Sequence, residues 1–96
     1  MFILICYDVS TIDNGGKARL RKVAKQCKNY GQRVQNSVFE CTIEPALWVS
    51  VKDTLVGLID KDKDSLRFYY MGKENTAKVE HVGVKESVNT SGVLIV

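Results

Sequence analysis

Residues 2 to 8 read FILICYD, and residues 17 to 30 read KARLRKVAKQCKNY. Phe2–Tyr7 is a continuous apolar run, β-branched and aromatic, closed by a loop containing Asn14-Gly15-Gly16. Such a run reads as a strand with both faces covered. From Lys17 the apolar period changes, with Leu20, Val23, Ala24, Cys27 and Tyr30 on one helical stripe and Gly31 in position to end it. Arg33 to Ile43 returns to β character, with a bulge or break expected at the polar triplet Gln35-Asn36-Ser37. Pro45 suits the first turn of a second helix, whose buried stripe is Leu47, Trp48, Val51, Leu55, Leu58 and Ile59. Ser65–Met71 reads as a strand, Val79–Val84 as a shorter one, and Val93–Val96 as a last apolar segment.

The order is therefore β-α-β-(β)-α-β-β, with no repeats and no low-complexity linker. Two helices alternating with an antiparallel sheet predict an α+β, ferredoxin-like (split βαβ) fold with an extra C-terminal strand. The 96 residues form one expected domain, 1–96. An apolar content of 45% and a charged content of 26% are ordinary globular values. Two helices cover one face of a sheet, yet FILICY and LRFYYM are apolar or aromatic on both. The second face is expected to meet another copy of the chain, as a two-fold symmetric homodimer. The tail Val93–Val96 is expected to add to a sheet edge, of its own chain or of its neighbour.

Charge is unevenly distributed. Net charge is +3, but residues 14 to 39 carry seven basic side chains and no acid: Lys17, Arg19, Arg21, Lys22, Lys25, Lys28 and Arg33. A basic, acid-free helix face is what a phosphodiester backbone prefers to meet. Acids collect elsewhere, as in Asp60, Asp62 and Asp64 alternating with Lys61 and Lys63, which reads as a solvated loop. The three cysteines, Cys6, Cys27 and Cys41, form no CxxC pair, so zinc and thioredoxin-type redox chemistry are disfavoured. They read as reduced core thiols of a cytoplasmic protein. FILICY is too short to cross a bilayer and lacks a basic leader, so no membrane association is expected.

Asp8 is the sharpest chemical candidate. A lone acid closing a buried strand, beside a basic surface, is where a hard cation can be held against phosphate. A dimer axis near the strand ends would pair two copies of it. The alternative is an Asp that makes loop or cap hydrogen bonds near Ser10 and Thr11. Ser10, Thr11, Gly15 and Gly16 match neither GxxxxGK[ST] nor GxGxxG, so nucleoside triphosphate binding lacks support. His81 and Glu80, adjacent on a strand, point to opposite faces and cannot act together. Glu40 has no second acid two residues on. Trp48 belongs to core or interface, because its stripe is otherwise aliphatic.

Three stretches, FILICYDVS ending just past Asp8, GQRVQNSVFEC from Gly31 to Cys41 and KVEHVG from Lys78 to Gly83, resemble the small CRISPR-associated endonucleases, the second of the two core spacer-acquisition proteins. The similarity covers nearly the whole chain, and GQRVQNSVFE is long enough to be specific. The resemblance implies a ferredoxin-like homodimer in which Asp8 faces its mate, binds a divalent metal (Mg²⁺ or Mn²⁺) and is catalytic. It implies cleavage of RNA or duplex DNA, and a bridging place between copies of the CRISPR integrase subunit. By region, it assigns Arg19, Arg21 and Arg33 to nucleic-acid binding. Two other readings stay open: a non-catalytic clamp on duplex DNA, and a small ribonuclease toxin on the same fold.

Overall fold

In the computed structural model, which describes residues 1–72 and 77–84, the first apolar run sits at the centre of a five-stranded sheet. The elements are β1 (Phe2–Asp8), α1 (Gly16–Tyr30), β2 (Gln32–Gln35), β3 (Val38–Thr42), α2 (Pro45–Leu58), β4 (Ser65–Met71) and β5 (Ala77–Gly83). The sheet order is β2-β3-β1-β4-β5, antiparallel throughout. Strands β1, β2, β3 and β4 with the two helices make the split βαβ pattern, and β5 is the added edge. The expected segment Val93–Val96 lies outside the described residues.

The break expected at Gln35-Asn36-Ser37 is a tight hairpin, with a register irregularity between Arg33 and Gln35. Gly31 ends α1 as expected, but in extended rather than left-handed backbone, its amide returning to the Cys27 carbonyl at 2.8 Å. Among the described residues, the one left-handed glycine is Gly83, at φ 100°. A side chain there would strike the carbonyl of Asp64, to which the next amide, Val84 N–H, donates at 2.9 Å.

Residues directly opposite in an antiparallel ladder point to the same face. Ile3, Ile5 and Tyr7 of β1 therefore share a face with Cys41 and Phe39 of β3 and with Leu66, Phe68 and Tyr70 of β4. That face carries the core, closed by Val23 and Cys27 of α1 and by Trp48, Val51 and Leu55 of α2. Trp48 is core, edge-on to Phe68 at 5.1 Å. Burial pushes the Cys27 thiol up to about 12, which fits an inert interior group. Cys6, Cys27 and Cys41 are all free thiols.

Two expected core positions are not in the core. Leu47 is 45% exposed because it is turned about 100° around the helix from Trp48, away from the sheet. Tyr30 is 39% exposed, in the last turn where α1 runs past the sheet edge. Glu80 and His81 do face opposite ways. Glu80 joins the helix side, bonding Lys52 of α2 at 2.6 Å and the Tyr70 hydroxyl at 2.7 Å, while His81 shares the other face with Arg67.

Among the described residues, no helix faces that other side. It presents Phe2, Leu4, Cys6 and Asp8 of β1, flanked by Met71, Tyr69, Arg67 and Ser65 of β4 and by Val79 and His81 of β5. Phe2, Met71 and Val79 are exposed, Val79 by 51%. Among the described residues, no helix is long and apolar enough to cross a membrane.

Candidate active site

Asp8 stands at the C-terminal end of β1, its carboxylate exposed, opposite Ser65. Because side chains alternate along a strand, it lies on the uncovered face, with Cys6 and Leu4 behind it. Cys6, Tyr7, Asp8, Ser65, Arg67 and Tyr69 line a shallow cleft of about 120 Å³. One row below Asp8, the Cys6–Arg67 pair continues into His81. The ring Nε2 of His81 lies 2.6 Å from the Val84 carbonyl, and Nδ1 lies 3.4 Å from both Nε and Nη2 of Arg67. A carbonyl only accepts and a guanidinium only donates, so a neutral ring protonated at Nε2 satisfies both neighbours.

The alternative for Asp8, a carboxylate bonding the loop near Ser10, is taken by another residue. Asp64 does this, and it is no part of a solvated loop: it is 0% exposed. Its carboxylate accepts the Ser10 amide at 2.9 Å, the Asp60 amide at 2.8 Å, and Nε and Nη2 of Arg19 at 2.7 and 3.3 Å. Arg19 turns the rest of its fork on Asp13, with Nη1 and Nη2 each 3.1 Å from a carboxylate oxygen, and Lys63 Nζ closes on Asp13 at 2.9 Å. Burial alone would raise the Asp64 pKa, but the bonds from Arg19, Asp60 and Ser10 outweigh it and hold it below the ordinary value. Hydrogen bonds from Arg19 and Lys63 hold Asp13 well below the carboxylate range, and the same bonds raise Arg19 and Lys63.

The solvated-loop reading holds for Lys61, Asp62 and Lys63, which are exposed, and fails at Asp64, because a charge run shows no burial. A signal was present on the other partner. Arg19, Val23 and Cys27 are spaced four apart, so Arg19 extends the buried stripe of α1. An arginine on an apolar stripe demands a buried acid.

Of the three arginines expected to grip phosphate, Arg21 and Arg33 are exposed, as are Lys17, Lys22, Lys25 and Lys28. Arg33 lies over the Phe39 ring, 5.1 Å from its centroid, at the mouth of a groove shared with Lys28 and Gln32. Arg19 is drawn out of this basic surface by Asp64 and Asp13. Among the described residues, no three His, Cys, Asp or Glu side chains gather as a metal cluster. Asp8 offers one carboxylate, a hard oxygen donor of the type that suits Mg²⁺ or Mn²⁺, which take one or two carboxylates and fill their remaining positions with water and phosphate.

Comparison with known proteins agrees with this architecture. The family model described as CRISPR associated protein Cas2 matches residues 1–79. The chain is 55% identical over 95 residues to the CRISPR-associated endoribonuclease Cas2 of Nitratidesulfovibrio vulgaris, covering 99% of this chain and 93% of that one. It is equally identical over 95 residues to the CRISPR-associated endonuclease Cas2 of Halalkalibacterium halodurans, covering 99% of each. The crystal structure of Streptococcus pyogenes Cas2 at pH 6.5 superposes with a TM-score of 0.69 at 54% identity, over 77% of this chain and 89% of that one. A hypothetical protein from Thermus thermophilus superposes with a TM-score of 0.56 at 27% identity, over 96% and 90%. On a match that runs from the first strand into the start of the fifth, the chain belongs to the CRISPR-associated Cas2 family.

Proposed function

We propose that two copies of this chain pack their uncovered sheet faces together and act as a metal-dependent endonuclease on RNA or duplex DNA. The observation that carries the reading is Asp8 itself, an exposed acid on the sheet face that, among the described residues, has no helix over it. A two-fold axis beside the strand ends gives two such carboxylates to one site. The two Asp8 carboxylates would hold a divalent cation, Mg²⁺ or Mn²⁺, which would supply charge neutralisation at a phosphodiester oxygen and a lowered pKa for an attacking water. The chain's own part is to hold Asp8 at a rigid strand end, to bind flanking phosphates through exposed basic side chains, and to orient the substrate across the cleft. Relatives named endoribonuclease and endonuclease support nuclease chemistry of either substrate class. The basic surface and the family together support a bridging role beside the CRISPR integrase subunit. The deciding experiment is a cleavage assay on RNA and duplex DNA with and without Mg²⁺, comparing wild type with Asp8→Ala.

The dimer is tested separately. Sedimentation at micromolar concentration is expected to give about twice the 10.8 kDa chain mass. Phe2, Leu4, Tyr69, Met71 and Val79 supply the apolar surface, and a standard interface buries roughly 800 Å² per partner. A clean monomer would remove the shared site, because one Asp8 cannot build it.

Nucleic-acid binding is expected to be steeply salt-dependent and nearly indifferent to sequence. If about four to six phosphates are neutralised, the log–log salt slope is about −4 to −5. Arg21→Ala and Arg33→Ala are each expected to flatten it by about one unit on any duplex. Titration of two unrelated duplexes between about 50 and 200 mM salt checks this. A flat slope would reduce α1 to a solvated face.

A further inference from the structure

We propose that Arg19 and Asp64 form a positioning pair that fixes the backbone around Asp8, and that Arg19 is not one of the phosphate-binding arginines. The inference rests on the reading of Asp8 as the catalytic carboxylate. Asp64 reaches both flanks of Asp8. Its side chain accepts the amide of Ser10, two residues beyond Asp8, and its own peptide leads directly into Ser65, the cross-strand partner of Asp8. Its main chain is used as well, the amide donating to the Asp60 carbonyl at 2.7 Å and the carbonyl accepting from Val84. The start of β4 and the end of β5 are therefore tied to the β1–α1 loop through one residue.

Arg19 completes the frame from α1. Its Nη2 lies within reach of the Ser10 carbonyl at 3.4 Å, so one guanidinium meets Asp64, Asp13 and the loop backbone together. Gly16 lets the helix start press onto that loop, since a side chain there would strike the Ser10 carbonyl. A planar fork with fixed donors suits this arrangement, and the single ammonium of lysine cannot reproduce it. Displacing a reacting group by about 1 Å costs on the order of 100-fold in rate, so a loosened loop should be read in turnover rather than in binding.

The test uses Arg19→Lys and Asp64→Asn, both close to the native shape, assayed at a temperature where circular dichroism shows each folded. Cleavage of RNA and duplex DNA with Mg²⁺ is expected to lose about tenfold or more in kcat, with KM and the salt slope of binding kept at wild-type values. Arg21→Ala, measured alongside, is expected to flatten the salt slope. Arg19→Lys or Arg19→Ala that weakens binding or flattens the slope while kcat holds would overturn the assignment and return Arg19 to the phosphate-binding set. Amide spectra of the same variants without metal or nucleic acid give a second readout. The resonances of Asp8, Ser10 and Ser65 are expected to move in Arg19→Lys and Asp64→Asn, and unmoved resonances would overturn the positioning role. If wild type fails to cleave, or Asp8→Ala cleaves normally, the nuclease reading falls, while the amide spectra still decide whether the pair holds the Asp8 backbone.

Discussion

Asp8→Ala is expected to abolish metal-stimulated cleavage, by a factor of about 1,000 or more, while leaving the dimer and nucleic-acid affinity at wild-type levels. The magnitude follows from the number of effects lost together. Removing one electrostatic contributor to a transition state typically costs about 100- to 1,000-fold. In the proposed symmetric site a single substitution would remove both carboxylates, leaving a bound cation without the two Asp8 side chains that would hold it. Binding is expected to persist because the proposed phosphate contacts are assigned to Arg21, Arg33 and the exposed lysines, on elements that the substitution does not touch. Folding is expected to persist because Asp8 is exposed and the loop beyond it is bonded by Asp64 instead. Single-turnover cleavage with excess protein, repeated across a Mg²⁺ titration, gives the answer. Retained activity in rigorously purified Asp8→Ala would remove the catalytic assignment and favour a clamp that binds duplex DNA without cutting it.

Much of this molecule was legible in the order of its residues. Phe2–Tyr7 announced a strand by its uninterrupted β-branched and aromatic run, and it is central, paired on its two edges with β3 and β4. The step from a continuous apolar run to period 3.6 at Lys17 located α1, and Pro45 located the start of α2. Asp8 stood out because it is the only acid between the first strand and a long basic segment except for Asp13. What escaped was everything that depends on contacts far apart in the chain. Asp64 lies 45 residues from Arg19 and 54 from Ser10, and its local sequence, acids alternating with lysines, is that of an exposed turn. Periodicity reports which face a residue occupies and is silent about which loop the fold will lay over it. The same gap explains Leu47, which satisfies a helical stripe by eye yet sits one residue off the line through Trp48, Val51 and Leu55. The arginine at the head of the Arg19, Val23, Cys27 stripe was the available clue that a buried counter-charge existed.

Asp64→Ala is expected to be among the most damaging single changes in the chain, costing roughly 3–5 kcal/mol of stability at neutral pH. Truncation removes the acceptor of three donors at once, the Ser10 and Asp60 amides and the Arg19 Nε, from a position where Asp64 is fully buried. For a domain of this size that loss lowers the Tm by on the order of 10 °C or more. Asp64→Asn separates charge from shape, and its pH dependence has a definite sign. The folded pKa of Asp64 lies below its ordinary 3.8, so the ionised carboxylate contributes stability that is fully present above that value. The contribution is lost as pH falls through the lower, folded pKa. Asp13, depressed by Arg19 and Lys63, acts in the same direction. Lys63, raised by Asp13, contributes stability below its ordinary 10.5 that fades only as pH rises beyond it. The ionic frame is therefore at full strength from about pH 5 to 9 and weakens on the acid side. Urea unfolding of wild type and Asp64→Asn at several pH values is expected to show a wide stability gap at pH 7. That gap is expected to narrow as pH falls below about 4, where the unfolded chain's carboxyl takes up a proton that the folded carboxylate resists. A gap that stays constant down to pH 3 would mean that the shape of Asp64, and not its charge, secures the loop behind Asp8.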